Sequence, residues 1–414
     1  MVTVREQVAL SEFTTLRLGG PARRFVEAAT DDEIIAEVRA ADQRGEPLLI
    51  LGGGSNLVIS DGGFPGTVIH VASKGIHRGD TGPGSGLGDG RAGARASGGE
   101  QDGRPDGARA SGGVSVTVAA GEDWDTVVAS CVAGGLAGIE CLSGIPGRAG
   151  ATPIQNVGAY GQEVADTITV VRAYDRARGE VVELAARDCG FGYRTSAFKR
   201  SARLMPALGG MGEFTGTFVV LNVVFALSRQ PLSQPVRYRE LAHRLGVPEG
   251  GRAPLADVRA AVLALRRGKG MVLDPADPDT RSAGSFFTNP ILDARQFAAL
   301  QEVVAARCGP DAGIPRYPAG QGADQGQVKV SAAWLIEQAG FQKGYAAQDG
   351  ASAGARGTGR PGARISAKHT LALVNPGGAT AASLLGLARE VRDGVRDVFG
   401  VELAHEPVLV GDRL

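Results

Sequence analysis

The sequence predicts an α+β fold: a two-lobed first domain followed by a smaller α/β C-terminal domain. Three observations lead there. Near the N-terminus a helical pattern, a short apolar run, a glycine loop and a second apolar run follow one another, the order of a small α/β lobe. A second glycine-rich stretch, G-I-P-G-R-A-G-A-T-P-I-Q-N-V-G-A-Y-G from Gly144 to Gly161, sits among strand-like segments. Beyond Pro290 helical patterns dominate. Glycine tolerates positive φ and has no Cβ, so such loops bring backbone N–H groups close to an anionic ligand. Leu51-Gly52-Gly53-Gly54-Ser55-Asn56 repeats the device. The pair reads as a cradle for a dinucleotide diphosphate, and G-x-G-x-x-G after a strand is missing.

The elements follow in order. Asp31 to Arg44 is an amphipathic helix, with Ile34, Ile35 and Val38 on one face and Asp31-Asp32-Glu33 suiting the dipole of its first turn. Gly45 ends it. Pro47 to Leu51 and Thr67 to Val71 are short buried strands on either side of the first glycine loop. Residues 79–113 hold almost no apolar side chains and repeat G-A-R-A-S-G-G at Gly93 and Gly107. Such a stretch cannot offset its ordering entropy, so it is expected to be a disordered insertion. Acidic residues interleaved with its arginines weigh against an RNA-binding tail. A second low-complexity insertion spans 348–361, and both are expected to loop out at hairpin tips. Val114 to Val118 alternates as a strand, and Trp124 to Cys131 is helical. Thr167 to Tyr174 and Val181 to Leu184 form a hairpin, Thr217 to Ala226 a long strand and Leu255 to Arg267 a helix. The last part holds helices over Ala294–Arg307, Ser331–Ala339 and Ala381–Val398, with strands over Thr370–Val374 and Val401–Val410.

Composition excludes several classes. The 414 residues carry 44 basic and 44 acidic side chains, so the surplus of cations that a nucleic-acid binder needs is absent. Mean hydropathy is −0.02 and no run of about 18 apolar residues occurs, which excludes a membrane-spanning helix. The N-terminal residues lack the apolar centre of a signal peptide, and a cytoplasmic monomer is expected. Cys131, Cys141, Cys189 and Cys308 lack C-x-x-C spacing and read as free buried thiols; no metal site is expected.

Three short segments carry polar groups that packing does not require: Phe191-Gly192-Tyr193-Arg194, Gly284-Ser285-Phe286-Phe287-Thr288-Asn289-Pro290 and His405-Glu406-Pro407. Singly each could be a turn or an edge charge. Together with L-G-G-G-S-N-L and I-P-G-x-x-G-A-x-P-I-Q-N-x-G-A-Y-G, and in this order, they make the chain resemble the UDP-N-acetylenolpyruvoylglucosamine reductase family over nearly its whole length. Val236-Arg237-Tyr238-Arg239-Glu240 and the G-S-F-F form resemble the subtype that closes a tyrosine loop over its substrate.

The resemblance implies an FAD-binding domain of the vanillyl-alcohol-oxidase/PCMH type, with lobes over 1–72 and 73–270. It also implies a substrate-binding domain over 271–400 and a terminal strand, 401–414, returning to the active site. FAD contacts would come from Arg17, Gly53, Gly54, Ser55, Asn56, Leu57, Pro146, Gly147, Ala151, Thr152, Asn156 and Gly158. Tyr193, Tyr238, Lys269, Asn289 and Gln338 would hold the UDP-sugar, with Lys199 a further candidate. The implied reaction is NADPH-dependent reduction of UDP-N-acetylglucosamine enolpyruvate in peptidoglycan precursor synthesis. Arg194 and Glu406 would steady the anionic intermediate and Ser285 would protonate it. A serine without a histidine partner suits a strongly basic, enolate-like acceptor and not a Ser-His-Asp hydrolase. The family ends in Leu-Glu-Pro-Glu-Val where this chain has Leu403-Ala404-His405-Glu406-Pro407-Val408; an ungapped count from Phe399 to Gly411 puts Glu406 at the acid position. The alternative is another FAD-dependent oxidase or dehydrogenase of the same superfamily. Those often tether flavin through His or Cys in the glycine loops, and Gly52–Asn56 and Gly144–Gly161 contain neither.

Overall fold

The structure, a computed structural model, describes residues 2–80, 113–204, 215–318, 326–346 and 362–414. The first lobe comprises β1 (Thr3–Ala9), β2 (Pro21–Ala28), α1 (Asp31–Gln43), β3 (Leu48–Leu51), β4 (Leu57–Ile59) and β5 (Phe64–Val71). Its sheet has the order β1-β2-β5-β3, with β2 and β3 parallel to β5. The Thr30 hydroxyl accepts the Glu33 N–H and starts α1, whose three first-turn carboxylates favour its N-terminal dipole. Ile34, Val38 and Ala41 bury the inner face. β1 and β2 carry no clear apolar alternation and are not among the sequence-predicted strands.

The second lobe holds β6 (Ile76–Asp80), β7 (Gly113–Ala119), α2 (Trp124–Ala133), β8 (Leu136–Ala137), β9 (Gly158–Ala159), β10 (Gln162–Glu163), β11 (Ile168–Asp175), β12 (Glu180–Ala185), α3 (Ala197–Leu204), β13 (Phe218–Arg229), α4 (Arg239–Leu245) and α5 (Leu255–Gly268). Its sheet runs β12-β11-β13-β7-β6, and β8 also joins β13. Trp124 packs against Phe225 under this sheet, with ring centroids 5.6 Å apart. Arg259 forks onto Asp125 at 2.7 and 2.8 Å and fixes α5 to α2.

β14 (Ile291–Leu292), α6 (Ala294–Cys308), β15 (Arg316–Pro318), β16 (Val328–Val330), α7 (Ala332–Gln338), β17 (Arg364–Ile365), β18 (Leu373–Val374) and α8 (Ala381–Phe399) form the C-terminal unit, and β19 (Val408–Val410) leaves it. The α8 face of Leu384, Leu387 and Val391 packs into one core with Phe286 and Phe287. β19 pairs in parallel with β4, so the end of the chain is stitched into the first lobe. Asp61 of that lobe accepts the N–H groups of Ala381 and Ala382 at 2.8 and 3.0 Å, capping α8.

Several expectations change. The whole 348–361 insertion and residues 81–112 of the 79–113 insertion lie outside the described residues, but Gly79, Asp80 and Gly113 belong to β6 and β7, which pair antiparallel. Ala346 likewise bridges Arg364 across the second gap. The final strand shortens to Val408–Val410, because Pro407 has no N–H and the Glu406 N–H goes to the Phe286 carbonyl at 2.8 Å. The 370–374 strand shortens to Leu373–Val374, as the Ala372 N–H closes a turn onto His369. Cys308 is exposed, while Cys131, Cys141 and Cys189 are buried.

Candidate active site

The two glycine loops meet back to back. A Cβ on Gly53 would lie 2.7 Å from the Gly147 Cα, and one on Gly147 would lie 2.8 Å from the Ser55 hydroxyl. Gly54 has φ +57°, and a Cβ there would meet the Phe13 carbonyl. The contact therefore demands glycine on both sides. Beside it opens a cleft of about 730 Å³, lined by Gly52, Arg148, Gly150, Ala151, Lys199 and Glu406 among others, with an apolar end at Ile50, Phe218 and Val219. That volume lies within the usual range for a small-molecule or cofactor site, roughly 300–1,000 Å³. The small residues Gly52, Gly150 and Ala151 next to an apolar slot, with Arg148 and Lys199 supplying positive charge, fit a dinucleotide such as FAD.

The other expected cofactor residues occupy varied places. Leu57 pairs with Val408, and Asn56 donates from Nδ2 to the Glu406 carbonyl at 3.4 Å. Pro146 is half-buried on the second loop. The Thr152 hydroxyl is buried against the Ala149 carbonyl at 2.7 Å. Asn156 is buried, donates from Nδ2 to Glu163 at 2.8 Å and to the Gly192 carbonyl at 3.1 Å, and so supports the site from within. Arg17 is not brought to the cleft: its exposed side chain donates to the Glu12 carbonyl of its own loop at 3.2 Å. The neighbouring Thr15 does approach, through its N–H on the Gly54 carbonyl at 3.2 Å.

Arg194 Nε and Glu406 Oε1 lie 3.0 Å apart although 212 positions separate them in sequence. The Arg194 guanidinium also donates from Nη2 to the Gly158 carbonyl at 3.1 Å, and a Cβ on Gly158 would lie 3.5 Å from Nη1. Nε is buried yet aligned with no hydrogen-bond acceptor, so the Glu406 contact is an ion pair and not a hydrogen bond. Arg194, Asn156 and Tyr160 all have positive φ (53°, 44° and 50°), a concentration of backbone strain typical of functional sites.

Glu406 is anchored to the Gly-Ser-Phe-Phe segment. Its N–H reaches the Phe286 carbonyl at 2.8 Å, the Thr288 N–H reaches the Ala404 carbonyl at 3.0 Å, and Phe287 bridges His405 antiparallel. Phe286 and Phe287 are each 1% exposed, and that burial, worth roughly 1.5–3 kcal/mol per ring, fixes the half-buried Ser285 beside the Glu406 backbone.

Tyr193 and Asn289 meet here: the Tyr193 phenol, its pKa raised by burial, lies against the Asn289 backbone and the Glu406 charge. The Asn289 side-chain oxygen accepts the Ala332 N–H at 3.0 Å and caps α7. Lys269 contacts Glu240 at 2.7 Å and lies 5.8 Å from the Tyr160 ring centroid, whose edge meets Tyr238. Arg266 and Lys343 are close enough, with Lys269, to help burial hold the His369 pKa down to about 4. Gln338 does not join this cluster: it is exposed, accepts from the Cys308 thiol at 3.7 Å, and leaves the inward place on α7 to Glu337, which takes the Thr370 hydroxyl. Lys329 is a site residue the motifs did not reveal. Its Nζ lies 4.3 Å from the Tyr193 ring centroid, with its pKa lowered by burial and by Arg194. The available signal is a lone charge inside Val328-Lys329-Val330.

The class of protein is an FAD-dependent oxidoreductase. Residues 22–85 and 110–185 match the FAD binding domain model, and residues 275–410 match the model for the C-terminal domain of UDP-N-acetylenolpyruvoylglucosamine reductase. The reductase of that name from Thermobifida fusca is 53% identical over 407 residues, covering 98% of each chain. The one from Streptomyces coelicolor is 51% identical, over 98% of this chain and 90% of its own. The crystal structure of the Thermus caldophilus reductase superposes with a TM-score of 0.56 at 23% identity, covering 99% of this chain and all of that one, a likeness of fold. The chain belongs to the UDP-N-acetylenolpyruvoylglucosamine reductase family. Among the described residues no helix is long and apolar enough to cross a membrane, and no cluster of candidate ligands could hold a metal.

Proposed function

We propose that this chain reduces UDP-N-acetylglucosamine enolpyruvate to UDP-N-acetylmuramate with NADPH as reductant and FAD as resident cofactor, in the supply of peptidoglycan precursors. The observation that carries the reading is the Arg194–Glu406 pair, 3.0 Å apart, next to the Ser285 segment and the cleft beside the glycine loops. Residues 1–72 and 73–270 would hold FAD through Gly53, Gly54, Ser55, Asn56, Pro146, Gly147 and Ala151. Residues 271–400 would cover the nucleotide sugar, and 401–414 would return Glu406. The protein acts as a cytoplasmic monomer, without nucleic acid or membrane.

When bound, FAD would supply hydride chemistry, with NADPH as reductant, toward the terminal CH₂ of the enolpyruvyl double bond. Negative charge then develops on the adjacent carbon and spreads into a carboxylate that is already anionic. Arg194, whose buried Nε lacks an aligned acceptor, offers that carboxylate a donor, and Glu406 keeps the guanidinium oriented. Donors preorganised in this way are worth about 3–4 kcal/mol each. Ser285 delivers the proton to the α-carbon, a role worth roughly 10²- to 10⁴-fold. Tyr193, Tyr238, Lys269 and Asn289 hold the UDP-sugar, the Lys269 cation facing its phosphates.

An anaerobic titration tests the reading. NADPH should bleach the yellow protein, and the enolpyruvyl nucleotide should restore the colour. Ser285→Ala should still bleach, then regain colour at least about 100-fold more slowly. Restoration at the wild-type rate would remove Ser285 from the proton transfer.

A further inference from the structure

Arg194 and Glu406 reach the site from distant parts of the chain, and each is held there by backbone, not only by its ion pair. The Arg194 residue has φ +53° within a tight Gly192–Thr195 turn, where the N–H of each end residue donates to the carbonyl of the other at 3.1 and 3.2 Å. A non-glycine residue holds that conformation only under outside restraint. The restraint is visible. Lys199 Nζ donates to the Arg194 carbonyl at 3.1 Å and to Gln155 Oε1 at 2.8 Å, and Gln155 Nε2 donates to the Glu406 carbonyl at 3.2 Å. The same two segments are joined a second time, since the Ser196 hydroxyl donates to the Ile154 carbonyl at 2.8 Å and accepts the Lys199 N–H at 3.2 Å.

Resting on the active-site reading given above, we infer that Lys199 and Gln155 form a positioning relay that sets the spacing of Arg194 and Glu406. The ammonium of Lys199, a candidate for binding substrate phosphate, is instead engaged by a backbone carbonyl and an amide oxygen. Gln155 suits the relay because an amide has both an acceptor for the lysine and a donor for the Glu406 carbonyl. Glutamate in its place would keep the first bond and lose the second. Both links are needed, because a displacement of about 1 Å at a reacting group can cost on the order of 10²-fold in rate.

The test uses the FAD-loaded full chain in the two half-reactions. Lys199→Met, Gln155→Met and Gln155→Glu should each slow substrate-driven reoxidation roughly 10- to 100-fold, and at least about tenfold more than they slow NADPH-driven bleaching. Both half-reactions are read at matched FAD occupancy. Lys199→Arg, which can still donate to both acceptors, should recover most of the rate. The Lys199→Met/Gln155→Met double variant should be no slower than the slower single one, because the two act through one relay. Wild-type reoxidation in Lys199→Met, or equal loss of both half-reactions together with FAD, would overturn the relay. If Gln155→Met fails to fold, Lys199→Met and its arginine rescue decide the matter alone. Arg194→Ala separates the two ideas: if it reoxidises normally, the active-site reading itself fails. If it is slow while Lys199→Met and Gln155→Glu are not, the relay alone fails.

Discussion

His369 shows how one residue reports on its surroundings. Burial, followed by the nearby Lys269, Lys343 and Arg266 cations, holds its pKa down to about 4, so it is neutral in the folded protein at neutral pH. The unfolded chain binds that proton near pH 6.5, ahead of the folded one, so stability is undiminished above about pH 6.5 and falls as pH drops from there towards 4. Urea unfolding at pH 5 and pH 7.5 should reveal a deficit of about 2 kcal/mol from this group at the lower pH. His369→Asn should flatten that dependence; an unchanged slope would place the titration elsewhere.

At the scale of elements, the close approach of the glycine loops makes a sharp demand. Gly53→Ala puts a methyl group 2.7 Å from the Gly147 Cα, and neither side can yield without moving backbone. The variant should lose about 1–3 kcal/mol of stability and a large part of its FAD, read by melting temperature and by the flavin-to-protein absorbance ratio. Gly62→Ala, whose nearest neighbour is 3.6 Å away, is the matched control and should keep both. These loops are legible in the sequence because their glycines stand among apolar strand-like runs, unlike those of residues 79–113. α1, α2, α5, α6 and α8 are legible through the spacing of their apolar residues. β1 is not, because six of its seven residues are exposed and it has no buried face to impose alternation. Arg194, Ser285 and Glu406 stand out as polar residues that packing does not require, yet only tertiary structure brings them together. Gln155 and Lys199 lie inside readable motifs, but their hydrogen bonds to carbonyls leave no mark in the sequence. Arg17 and Gln338 illustrate the reverse: membership of a motif does not say which way a side chain turns.

At the scale of the whole molecule, the cleft has walls from the first lobe (Ile50, Val71), the second (Ala120, Phe218) and the C-terminal stretch (Glu406, Leu409). A ligand filling it binds the folded state and not the unfolded one. At 100 times its dissociation constant such a ligand adds about 2.7 kcal/mol. Stripping FAD should therefore lower the melting temperature, and adding FAD back should raise it in a concentration-dependent way. A melting curve indifferent to FAD would mean that the cleft is not where the cofactor binds.

The parallel pairing of β4 with β19, and the Asn56 bond to Glu406 across 350 positions, carry a consequence for how the protein is made. During vectorial synthesis the glycine loops and Arg194 emerge from the ribosome long before the carboxylate that completes the site. The nascent chain can thus form its first sheet early, yet it acquires the acid only when the segment around Glu406 has cleared the exit tunnel and found a strand synthesised near the beginning.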